Sequence, residues 1–151
     1  MTSLNDIRTA LENALKTITI SNGYSFNVTN IYNCWDSNIV AKTRDGDYPK
    51  LFVLTEGGTA NRQAAGRTER ETQFSIILVL KFLNQVGETP VRSRIEAAID
   101  DIEKCIDANN HLGNLVEEME ISDFSTDSGF SYPEAIAVFS VKTLHYEERL
   151  G

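Results

Sequence analysis

Between Phe74 and Leu80, within the run from Glu71 to Phe82, every position except Ser75 is apolar. A strand with one buried face alternates apolar and polar side chains, so an almost unbroken run implies cover on both faces. The length also admits a short helix, but Ile76, Ile77 and Val79 are stiff at χ1 and sit poorly in one. The run therefore predicts the central strand of a sheet, with helices on one side and further protein on the other.

Other elements are predicted around it. Leu4, Ile7, Leu11, Ala14, Leu15 and Ile18 recur at helical spacing, which predicts a helix over Ser3 to Thr17 with Ser3 and Asp6 as a capping pair. Ser21-Asn22-Gly23 ends it. Tyr24 to Tyr32 alternates as a half-wet strand, and a slip in parity predicts a bend near Thr29-Asn30. A polar loop through Arg44-Asp45-Gly46-Asp47 leads to a short strand from Pro49 to Thr55. Glu56 to Arg70 has no large apolar residue and predicts an exposed, mobile connection. A second helix opens at Thr89 or Pro90 and runs to Asn109 with a stripe of Val91, Ile95, Ala98, Ile99, Ile102 and Ile106. Asn109 to Gly113 stops it. Strands over Leu115 to Phe124 and Ala135 to Tyr146 follow, separated by a polar turn from Ser125 to Ser131. The order α-β-β-β-α-β-β predicts an α+β domain over 1–151, a mostly antiparallel sheet with two amphipathic helices packed on one face.

Charge narrows the function classes. The formal net charge of −8 argues against general or sequence-specific nucleic-acid binding, which needs a basic face. No apolar run reaches the length of a membrane helix, and the first residues lack the pattern of a signal peptide. The expected compartment is intracellular, with Cys34 and Cys105 as buried thiols rather than a disulfide.

Candidate chemistry is sparse. His111 and His145 belong to no nucleophile or metal motif and read as ordinary surface or partly buried histidines. Asp45-Gly46-Asp47 lacks the other ligands of a calcium loop. Gly57-Gly58 lacks the phosphate-loop pattern. Asp100-Asp101 reads as a solvated helix face, and Asn27 as a glycosylation acceptor with no route to modification. Catalytic residues, metal and cofactor are all expected to be absent.

Arg62, Arg67 and Arg70 form the only basic cluster. They either balance Glu69 and Glu71 on a solvated loop or grip an acidic partner through two-point contacts. Glu117, Glu118 and Glu120, with Asp123 and Asp127, supply an acidic complement in the same chain. Opposite charges on separate surfaces permit head-to-tail contact between copies.

The chain resembles the tail terminator, or tail completion, proteins of long-tailed bacteriophages. The resemblance rests on the spacing Leu4, Ile7, Arg8, Ala10, Leu11, Ala14 and Leu15. It continues with Gly23-Tyr24, Phe26 and Val28, and with Pro49, Leu51, Val53, Glu56 and Gly57. The long strand from Phe74 to Phe82, Asp101 to Glu103, Leu112 to Val116, and Ala135, Phe139, Val141 and Tyr146 complete it. The family often has a second glycine where this chain has Asn114. The resemblance implies a structural virion protein, assembled in the host cytoplasm. It would form a hexameric ring on the last ring of tail tube protein, stop tube growth, and join head-tail connector proteins. The alternatives are another neck or head-tail connector protein, or a small intracellular enzyme or regulator.

Overall fold

The computed structural model describes residues 3–28, 30–32, 49–63, 66–81, 91–127 and 134–148. Five strands form one mixed sheet: β1 (Asn30–Tyr32), β2 (Lys50–Arg62), β3 (Arg67–Lys81), β4 (Glu118–Thr126) and β5 (Glu134–Glu148). Among the described residues two α-helices accompany them, α1 (Leu4–Leu15) and α2 (Val91–Ala108). The architecture is α+β. The spatial order is β1-β2-β3-β5-β4, which puts the Phe74–Leu80 run in the middle strand. Only β1 and β2 run parallel, and the other three pairs are antiparallel.

Ser3 caps α1: its Oγ accepts from the Asp6 amide at 3.1 Å, and Asp6 returns an acceptor to the Ser3 amide at 3.3 Å. That exchange satisfies two amides at a helix start that would otherwise lack partners. Ile7, Leu11, Ala14 and Leu15 bury the inner stripe of α1. In α2 the stripe is Ile95, Ala98, Ile99, Ile102, Cys105 and Ile106. Both stripes join Leu51 and Val53 of β2, Phe74, Ile76, Leu78 and Leu80 of β3, and Ala135, Ala137, Phe139 and Val141 of β5 in one core cluster. The alternation within β2, β3 and β5 shows that these residues share a sheet face. On the opposite face Phe52 and Val79 are buried, and Phe52 stacks on Tyr32 with ring centroids 5.1 Å apart. Ser75 and Ile77 are half-buried there, so the central strand is covered more fully on the face that joins the core cluster.

Three expectations need correction. Tyr24 to Val28 does not form a strand, and only Asn30–Tyr32 pairs with the sheet. The period-2 burial is real, with Tyr24, Phe26 and Val28 half-buried against the core. The backbone, however, is satisfied elsewhere. Ser25 donates its amide to Asp101 Oδ2 at 2.8 Å, and Val28 donates to the Ile18 carbonyl at 2.9 Å. The second correction is larger. Glu56 to Arg70 is not a mobile connection, because β2 continues to Arg62 and β3 starts at Arg67. The third is β4, which begins at Glu118 and continues through Thr126 into the expected turn.

Helix α2 ends at Ala108, and the chain turns through Leu112, Gly113 and Asn114, all with positive φ (44°, 63° and 71°). Asparagine tolerates the left-handed region better than most residues, which suits Asn114 to this turn. Thr29, Cys34, Trp35, the loop through Asp45-Gly46-Asp47, Phe82, Thr89, Pro90 and the turn from Ser128 to Ser131 lie outside the described residues.

Candidate interaction surfaces

Beyond the core cluster, β2, β3 and β5 continue together as an extension, with the start of β4 beside its first rungs. Pairing is unbroken from Gly57↔Gln73 to Arg62↔Thr68, and β5 follows β3 to Arg67↔Glu148. Every residue from Thr55 to Arg62 is exposed, although Lys50 to Val53 of the same strand are buried. Eight residues at strand rise give an exposed edge roughly 25 Å long. Because β1 reaches only Phe52, no described strand pairs with the outer edge of this segment.

A β-bulge between Thr55 and Gly57 marks the start of the extension. Such an extra residue bends its strand and increases the local twist. Gly57 has φ 140°, and a Cβ on Gly58 would collide with the Glu71 carbonyl oxygen. The small residues that made this segment look like a loop are therefore what lets two backbones approach at a bent edge strand.

The three arginines separate. By strand alternation Arg62 and Arg70 share one face of the extension and Arg67 the other. The Arg67 guanidinium lies 4.2 Å from the centroid of the Tyr146 ring. The Arg70 Nε is 3.3 Å from Glu147 Oε2, close enough for an ion pair but without hydrogen-bond alignment. Arg62 is exposed and has no ion pair with a described residue. Two of the three arginines thus brace the extension, and Arg62 is the one with no ion pair to a described residue.

Further ties hold the extension together. Gln63 Nε2 donates to Glu69 Oε2 at 3.0 Å, and Tyr146 Oη donates to the same oxygen at 3.3 Å. Partial burial, together with the nearby Glu69 charge, pushes the Tyr146 hydroxyl up from its ordinary pKa. Lys142 pairs with Glu71 at 2.7 Å, and that hydrogen bond raises its pKa, helped by the charges of Glu71, Glu120 and Glu118. His145 is buried at 1% exposure, not on the surface or partly buried, and its Nε2 lies 3.2 Å from Glu147 Oε1. His111 is exposed in the turn after α2.

The acidic complement lies at the opposite side of the sheet. Glu118 and Glu120 are exposed on β4, the outermost strand beyond β5, and Glu117 is exposed just before it. Glu117 donates its amide to the Leu144 carbonyl at 2.7 Å. Glu120 opposes Lys142, so that acid is partly balanced within the chain. A second bulge, between Ile121 and Asp123, interrupts β4. Beside it a groove of about 560 Å³ runs between β4 and α2, lined by Glu103 and Asp107 of α2 and by the segment from Glu120 to Phe124. Phe124 is 47% exposed there and stacks on the buried Phe139, with centroids 6.3 Å apart.

Cys105 is a buried free thiol, and its Sγ donates to the Ala14 carbonyl at 3.3 Å. Burial pushes this thiol up from its ordinary pKa. Among the described residues no three His, Cys, Asp or Glu side chains are grouped to hold a metal ion. No described helix is long and apolar enough to cross a membrane. No protein-family model matches the chain, and no curated protein matches it.

Proposed function

We propose that the protein is a structural virion component of the tail terminator type, which closes the end of a phage tail tube as a ring of identical subunits. The observation that carries this reading is the charge arrangement at the two sides of one sheet. An exposed extension ending near Arg62 lies on one side, and the acidic strand β4 lies on the other. A surface and its complement on opposite sides of one subunit favour head-to-tail contact, which closes into a ring when the rotation permits. The resemblance in sequence supplies the biological setting: a hexameric ring on the tail tube protein, an end to tube growth, and a surface for head-tail connector proteins. On this reading the protein needs no cofactor and catalyses no reaction. Glu117, Glu118 and Glu120 face a neighbouring subunit or the tube, and Arg62 is the principal arginine contact, with Arg67 and Arg70 holding its platform.

Because the extension is already hydrogen-bonded, docking does not carry the ordering cost of about 1 kcal/mol or more per residue that a mobile loop would incur. The test is complementation of a terminator-deficient phage, with tail length measured by electron microscopy. Arg62→Ser should give tails of uncontrolled length while the subunit keeps its melting temperature. Normal tails and normal infectivity with Arg62→Ser would refute the contact. A neck or connector protein with the same charged edges would bind the connector and leave tube length unaffected.

A further inference from the structure

The groove between α2 and β4 is a surface that the ring reading by itself does not explain. Its floor includes Phe124, a large side chain left 47% exposed. No described strand pairs with the outer edge of β4 beside it. The lining takes Glu103 and Asp107 from α2, whereas Glu120 and Asp123 occupy β4 positions whose side chains alternate towards the other face of the sheet, and no described cationic residue lines the groove. Glu103 and Asp107 stand one helical turn apart, so both present carboxylates to the same side.

We infer that this groove seats the Arg62 end of the sheet extension from a second copy of the chain. Three features select that occupant. Its charge is complementary, since Arg62 is exposed and without an ion pair among the described residues while the groove is acidic. Groove and extension lie on opposite sides of one sheet, so one subunit can give its extension to a neighbour while receiving another in its own groove. An arginine also suits a site with an aromatic floor and carboxylate walls, because its planar fork stacks on the ring while its N–H groups bond the acids. The inference rests on the ring reading and adds to it the receiving residues, of which Glu103, Asp107 and Phe124 lie outside the Glu117–Glu120 cluster.

The experiment is a charge exchange read by sedimentation and light scattering over a range of subunit concentrations. Arg62→Glu alone and Glu103→Lys/Asp107→Lys together should each raise the concentration for half-assembly at least tenfold. The chain carrying both sets of changes should recover assembly, because the pair is restored with its signs reversed. Phe124→Ser should weaken assembly in the same direction without altering charge, and it serves if a reversed chain fails to fold. If the parent forms rings and the groove variants form them equally well, the groove assignment is overturned and the ring reading stands. Normal rings that no longer cap tail tubes would make the tube protein the occupant, which also overturns it. A parent that stays monomeric at every concentration, with and without tail tubes, overturns both.

Discussion

Phe139 and Phe124 stack on each other but occupy opposite kinds of surface, and truncating each to alanine separates a core role from an interface role. Phe139 is completely buried in the central cluster. Phe139→Ala removes that burial and leaves a cavity, which costs about 3–5 kcal/mol. Phe124 is 47% exposed. Full burial of such a side chain contributes about 1.5–3 kcal/mol, so half of it gives about 1 kcal/mol, with no sealed cavity to add. Both variants lose the same ring contact, so its contribution cancels in the comparison. At about 2–4 °C per kcal/mol for a chain of this size, Phe139→Ala should lower the melting temperature by about 6–20 °C and Phe124→Ala by about 2–4 °C. Circular dichroism melts at a concentration below assembly, with urea titrations alongside, measure both. Equal losses in the two variants would refute the placement of Phe124 on an open groove.

A charge on the middle strand should be tolerated unequally on its two faces. Leu78→Asp, in the core cluster, should abolish soluble expression, whereas Ile77→Asp, at a half-buried position, should give soluble but destabilised protein. Gly58→Ala should destabilise the extension, because the new Cβ meets the Glu71 carbonyl. Hydrogen exchange should then quicken for amides from Gly57 to Arg62 and leave those of α2 unchanged, and equal exchange in parent and variant would refute the close approach. Alkali should lower stability. Burial raises the Cys105 and Tyr24 pKa values, so the folded chain holds these protons more tightly than the unfolded chain. The stability is then fully present below the ordinary thiol value of about 8.5 and falls as pH rises towards the folded value. Cys105→Ala should flatten that decline in denaturant midpoints measured between pH 7 and pH 10, and an unchanged slope would refute it.

Most of the fold was legible because burial repeats at the period of each element. The stripe of α1, the capping pair Ser3 and Asp6, and the run from Phe74 to Leu80 each carry a local signal, and each sits where that signal predicts. Tyr24 to Val28 misled for a physical reason. Alternating burial records which side chains face the core, but not which groups satisfy the backbone, and here Asp101 and Ile18 do so. The extension was illegible for the converse reason. Thr55 to Arg62 is exposed throughout, so its strand pairing leaves no hydrophobic period, and its glycines suggest a loop. The only sequence signal for pairing was the run of Thr, Arg and Glu in β3, whose partners Lys142, Tyr146 and Glu147 lie more than 70 residues away in β5. In the same way the acids of β4 were visible as a cluster, while the contribution of Glu103 and Asp107 depends on how α2 sits beside that strand.

Subunits that close head to tail into a ring and cap a tail tube, as proposed, leave a visible particle. Electron microscopy of the purified protein, alone and mixed with tail tubes, tests this most directly. Closed rings of identical subunits should appear, seated on one end of each tube and preventing its further growth. Particles that remain monomeric in both preparations, with bare tube ends, would contradict it.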